Sequence, residues 1–157
     1  GFDGRHSNVA RGIEQIKNFP DPQIFATEAY DIDAYRFKVK PGAYDVKMYF
    51  KAGYEPGFKP GYFVFNIDLE GQRVIDQLDL VKACGKDFGA VLVREFKAIS
   101  VPDGVLDIEF SVPDGVDSTA RLCNAIEVSP AIYLLIRYCD NLKIAYIRSL
   151  FCQFNSC

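Results

Sequence analysis

A chain of 157 residues, 49% hydrophobic and 25% charged, can build one domain with its own core and is short for two. Its net charge of −3 and pI near 5.2 argue against a nucleic-acid binder, which presents a basic face. A single histidine, His6, argues against histidine-rich zinc sites and histidine-based triads.

Aromatic residues make up 14% of the chain, all of them Phe or Tyr, which suits a β-sheet core or a sugar-binding surface. The cysteines are Cys84, Cys123, Cys139, Cys152 and Cys157. None forms a CxxC pair, and their odd number leaves at least one unpaired within a monomer. They leave the redox compartment open; a secreted or lumenal setting is the expectation. The opening "GFDGRHSN" has neither Met nor an apolar signal region and reads as a fragment or processed product. The longest apolar stretch, "VSPAIYLLI" (Val128 to Ile136), is far below the ~20 residues a spanning helix needs.

Residues 1–30 read as loop-rich, with a short helix expected near Val9 to Lys17. "NFPDPQIF" (Asn18 to Phe25) carries two prolines that forbid regular helix. From Tyr35 the pattern turns to period two. "YRFKVK" sets Tyr35, Phe37 and Val39 against Arg36, Lys38 and Lys40. "PGAY" (Pro41 to Tyr44) is a turn. The next strand, "YDVKMYFK", has Val46, Met48 and Phe50 on one face and Asp45, Lys47 and Tyr49 on the other. "AGYEPGFKPG" (Ala52 to Gly61) is a Gly/Pro loop.

"YFVFNIDLEGQRVIDQLDL" reads as a hairpin, with Phe63, Phe65, Ile67 and Leu69 sharing one face and Glu70-Gly71 as its two-residue turn. "VLVREFKAIS" (Val91 to Ser100) is another strand. A "PDG" turn leads into "VLDIEFSV", with Leu106, Ile108 and Phe110 inward, and a second "PDG" follows. "RLCNAIEV" (Arg121 to Val128) is the last clear strand. About seven strands with a turn roughly every ten residues predict an all-β sandwich or barrel. The tail from Ala131 has neither Gly nor Pro and fits helix or strand equally.

The acids of the hairpin alternate with its core residues, so Asp68 and Glu70 read as a solvated sheet face. A catalytic carboxylate pair needs a cleft that raises the pKa of the acid, and calcium at "DQLDL" needs more oxygen ligands than that segment offers. No catalytic residue, metal site or cofactor is expected. His6 reads as a surface residue. Cys84, beside Lys82 and Lys86, reads as an inert loop cysteine, with a reactive thiol as the alternative. Three residues stand out for binding. Tyr30 and Tyr54 are aromatic residues in loops, able to stack on the C–H face of a sugar or to anchor a loop. Asp117 has an acceptor-only carboxylate suited to sugar hydroxyls, or to an ordinary turn.

Taken in order, "GFDGR", "FATEAYDIDAYRF", "PGAYDVKMYFKAGY", "YFVFNIDLEGQRVIDQLDLVKACG", "REFKAISVPDGVLDIEF" and "LCNAIEV" resemble the malectin family, especially its modules attached to glycoside hydrolases. The resemblance covers residues 1–130 and implies a galactose-binding-like jelly-roll β-sandwich that binds an oligosaccharide without catalysis. On the family pattern the chain is N-terminally truncated by one strand, and residues 131–157 form an extra tail of unknown role. Tyr30 matches the tyrosine of the family's "TERY" segment, Tyr54 the tyrosine after its "FAE" segment, and Asp117 the aspartate before the last strand. Glu55 and Asn8 stand where the family carries aromatic residues. The implied role is a binding module for glucose- or galactose-type glycans, covalently joined to a glycosidase. The alternative is a structural or protein-interaction sandwich that has lost sugar binding.

Overall fold

In the computed structural model, residues 2–4, 13–16, 19–117, 120–131, 133–135 and 146–148 are described. His6, Asn8, Cys139, Cys152 and Cys157 lie outside them, as does most of the tail. Of the helix expected near Val9 to Lys17, the described part contains a single 3-10 turn, Ile13–Gln15.

The chain folds as an antiparallel β-sandwich of the expected jelly-roll class. Its strands are β1 (Phe2–Gly4), β2 (Ala29–Tyr30), β3 (Ile32–Lys38), β4 (Gly42–Phe50), β5 (Val64–Leu69) and β6 (Gln72–Asp79), followed by the one-turn helix α1 (Leu80–Ala83). Then come β7 (Leu92–Val101), β8 (Val105–Ser111), β9 (Leu122–Cys123), β10 (Ala125–Pro130), β11 (Tyr133–Leu135) and β12 (Tyr146–Arg148). One sheet has the order β1-β3-β8-β5-β6 and the other β10-β4-β7. The links from β3 to β4 and from β7 to β8 each carry the chain from one sheet to the other. The first passes through "PGAY" and the second through the first "PDG".

Strand alternation dictates the core. Val46, Met48 and Phe50 of β4 are buried, and so are Phe65, Ile67 and Leu69 of β5 and Leu106, Ile108 and Phe110 of β8. Register places Ile67 opposite Phe110 and Leu69 opposite Ile108. The two sheets meet through Phe50 and Phe65, whose ring centroids are 5.8 Å apart. Truncating such a ring to alanine costs about 4 kcal/mol in lost burial and cavity.

The β5–β6 hairpin turns at Glu70 (φ 51°) and Gly71 (φ 70°), the two left-handed residues a type I′ turn requires. Glutamate tolerates this position because it is bonded there. The Glu70 amide donates to the Asp107 carbonyl (3.1 Å), and its carboxylate accepts from the Asp107 amide (2.7 Å). Glu70 is therefore more than a solvated-face residue. Further along β6 the ladder is bulged, and Gln77 adopts φ 46°. Buried Asn66 pins that bulge: its Oδ1 accepts from the Gln77 amide (2.7 Å), and its Nδ2 donates to Ser111 Oγ (3.2 Å).

The acids of "DQLDL" also have protein partners. Asp76 pairs with Arg73, and Asp79 caps α1 while accepting from the Gly61 amide (2.8 Å). "RLCNAIEV" is broken at Asn124 into β9, which joins β2, and β10, which joins β4. In the tail, β11 and β12 pair antiparallel.

Candidate functional site

Three loop segments converge at one end of the sandwich, and a few polar contacts join them. β2 pairs with β9, so Tyr30 lies opposite Leu122. The next amide, Asp31, donates to the Arg121 carbonyl (2.9 Å). The Arg121 side chain is only about one-tenth exposed and reaches Asp31 and Asp33, each at 2.5 Å. This clamp accounts for the left-handed backbone of Asp31 (φ 53°). Asp117 lies one turn upstream: its carbonyl accepts from the Ala120 amide (3.0 Å), and Arg121 follows directly. Tyr30 and Asp117 thus sit on segments that are bonded to each other.

The segment before Tyr54 joins the same assembly. The Glu28 carboxylate, buried two residues before Tyr30, accepts from the Gly53 amide at 2.9 Å. Asn124 ties both neighbours in. Its Oδ1 accepts from the Lys51 amide (2.6 Å), and its Nδ2 donates to the Thr27 carbonyl (2.9 Å). Lys51 is 1% exposed, with its ammonium 4.5 Å from the centre of the Phe88 ring. Burial lowers its pKa, opposed by the nearby Glu28 and Glu14 carboxylates. Phe88 packs edge-on against Phe58 at 5.1 Å, so the 84–90 turn braces the Tyr54 loop.

The three residues singled out from sequence differ in setting. Tyr54 is the exposed large hydrophobic residue of the described chain, at 43%. It begins the 3-10 turn Glu55–Gly57, and its ring lies 6.1 Å from that of Tyr62. Asp117 is exposed. Tyr30 departs from the expectation of an irregular loop: it belongs to a two-residue strand, half-buried against the core.

Glu28, Lys51, Phe88 and Tyr62 were not flagged by the sequence. A Glu in "TEAY" and a Lys in a loop approach carry no local mark of burial, and their partners are distant in the chain. Cys84 is half-buried and its thiol is pushed up, chiefly by that burial, which argues against the reactive-thiol alternative. Among the described residues, no group of three His, Cys, Asp or Glu is placed to hold a metal ion. Nor is any helix long and apolar enough to cross a membrane.

The family model described as Malectin domain matches residues 5–119. No curated protein matches the chain. Among solved structures, Bacteroides uniformis beta-glucuronidase superposes with a TM-score of 0.68 at 22% identity, over 84% of this chain and 14% of that one. The plant receptor-like kinase ANX2 gives 0.63 at 14% identity, over 82% of this chain and 39% of that one. The ANXUR1 extracellular domain from Arabidopsis thaliana gives 0.62 at 15% identity, over 80% and 38%. At these identities the likeness is one of fold, and the chain spans well under half the length of each of these proteins. The match across residues 5–119 carries the assignment beyond fold: the chain belongs to the malectin domain family, whose fold is a carbohydrate-binding one.

Proposed function

We propose that this chain is a non-catalytic module that binds glucose- or galactose-type glycans, as an accessory domain of a glycoside hydrolase. The observation that carries the reading is Tyr54, an exposed ring on a loop tied by the Gly53–Glu28 bond to the segment bearing Tyr30. An exposed tyrosine offers a flat apolar face to the C–H side of a pyranose and a hydroxyl to its neighbour. Tyr30 flanks the site, and the Asp117 carboxylate accepts ligand hydroxyls. The accessory role is supported by the likeness to a stretch amounting to 14% of a beta-glucuronidase chain. A shallow site of this kind binds with Kd of ~mM to ~µM.

A glycan array probed with the wild-type chain tests the class of ligand, with Tyr54→Ala and Asp117→Ala as site controls. The expected result is retention on glucose- or galactose-terminated glycans that both substitutions weaken. Wild-type retention that neither substitution changes would remove the site assignment. Hydrolysis of a model glycoside by the chain would contradict the non-catalytic reading.

One observation favours a second reading. Glu55, next to Tyr54, is exposed where the family pattern has an aromatic residue. A sandwich that uses this end to hold a protein partner would leave the array blank.

A further inference from the structure

We infer that Tyr62 is a second stacking residue of the binding site and that Tyr54 and Tyr62 together take one face of a neutral pyranose. The inference rests on the carbohydrate reading above and extends it to a residue the sequence pattern did not mark. Two successive turns fold the loop back on itself. The Gly57 amide donates to the Tyr54 carbonyl (3.1 Å) and Phe58 to Glu55 (2.9 Å); Lys59 donates to Gly57 (2.8 Å) and Tyr62 to Lys59 (3.2 Å). The loop ends are thereby brought together, and the two rings lie 6.1 Å apart with planes inclined at 39°.

Gly57 makes this possible. A Cβ there would lie 2.6 Å from Tyr62 Cε1 and 2.8 Å from Tyr54 Cδ1, so both rings close over Gly57 and a larger residue would push them aside. Tyr62 is backed by buried Phe63, ring centroids 4.8 Å apart and planes at 77°. The approach to Tyr62 is fixed by the Gly61 amide donating to Asp79 Oδ2.

The pair is therefore held before any ligand arrives, which reduces the ordering cost of binding. Two inclined phenol faces suit a ring with an apolar C–H side and hydroxyls at its rim. Tyr62 also supplies an aromatic surface beside Tyr54 in a loop where Glu55 replaces the expected one.

The test is calorimetric titration of maltose and of lactose into the wild-type chain, Tyr62→Leu and Tyr62→Phe. The expected result is that Tyr62→Leu weakens binding of the sugar the wild type takes by about tenfold, while Tyr62→Phe stays within about threefold. Wild-type binding that Tyr62→Leu leaves unchanged overturns this inference and leaves the carbohydrate reading standing. Absence of binding to either sugar by a folded wild type overturns this inference; a blank glycan array would overturn the carbohydrate reading with it. If Tyr62→Leu does not fold, proton NMR of the wild type decides. The Tyr62 ring signals, assigned by their loss in Tyr62→Phe, shift during the titration if the inference holds and stay fixed if it fails.

Discussion

The Glu28 carboxylate accepts the Gly53 amide proton at 2.9 Å, which ties the strand ending in Tyr30 to the loop beginning at Tyr54. Both groups are buried, so the bond is shielded from competing water. Replacing Glu28 with alanine strands the amide and removes a carboxylate from beside the buried Lys51 ammonium. The expected loss is about 2 kcal/mol of stability. Glu28→Gln keeps an acceptor and recovers part of it. Urea unfolding of the three proteins checks the order wild type, Gln, Ala; equal midpoints for wild type and Ala would refute the tie.

Glu70 sets turn preference against a side-chain bond. Asparagine suits the left-handed turn position better than glutamate, by about 1 kcal/mol. The Glu70 carboxylate, however, accepts the Asp107 amide at 2.7 Å, and a bond to a charged acceptor contributes about 2 kcal/mol. Glu70→Asn is therefore expected to lower stability by about 1 kcal/mol, against the usual hairpin preference. A higher melting temperature for Glu70→Asn would show that the bond contributes less than the turn.

Arg121 holds Asp31 and Asp33 from a nearly buried position. Arg121→Ala leaves the half-buried Asp31 without this partner and is expected to cost about 3 kcal/mol. Amide exchange at Asp31, whose N–H is bonded to the Arg121 carbonyl, should accelerate more than exchange in the β5–β6 hairpin. Uniform acceleration across both would indicate a global effect rather than a local clamp.

Stability should decline at alkaline pH. Complete burial pushes the Cys123 thiol from 9.0 up to about 12. Burial, and then the neighbouring Cys123 charge, push Tyr35 from 10.0 to about 12. Tyr49 is likewise raised to about 12, by burial and by its bond to Glu127. Between these limits the folded chain keeps protons that the unfolded chain releases. The contribution is thus fully present below pH 9 and is lost as pH rises through about 12. Lys51, lowered by burial, acts in the opposite sense as pH approaches 10.5. Urea midpoints measured from pH 8 upward should fall, and Cys123→Ala should flatten the first part of the fall. A flat profile for the wild type would contradict the assigned burial.

The sequence disclosed the two layers because strand alternation is local. Val46, Met48 and Phe50, or Phe65, Ile67 and Leu69, announce a buried face within a few residues. It did not disclose β2, because a two-residue strand has no period and exists through pairing with Leu122 and Cys123. Tyr30 consequently read as a loop residue. Lys51 is the sharper case, since a lysine ordinarily marks solvent. Its neighbours include Phe88, against its ammonium, and Asn124, at its amide, both far along the chain. At the candidate site, Tyr54 was legible as an aromatic in a Gly/Pro loop. Tyr62 was hidden at the start of an apparent strand, and only the closure of the loop over Gly57 reveals it as a neighbour.

The proposed function has this end of the sandwich hold a sugar against Tyr54. Its most direct measurement is the affinity of the wild-type chain and of Tyr54→Ala for whichever of maltose or lactose binds, both proteins first shown to be folded by circular dichroism. The expected result is a wild-type Kd of ~mM to ~µM and at least a tenfold loss in Tyr54→Ala. Equal affinity in the two proteins would contradict it.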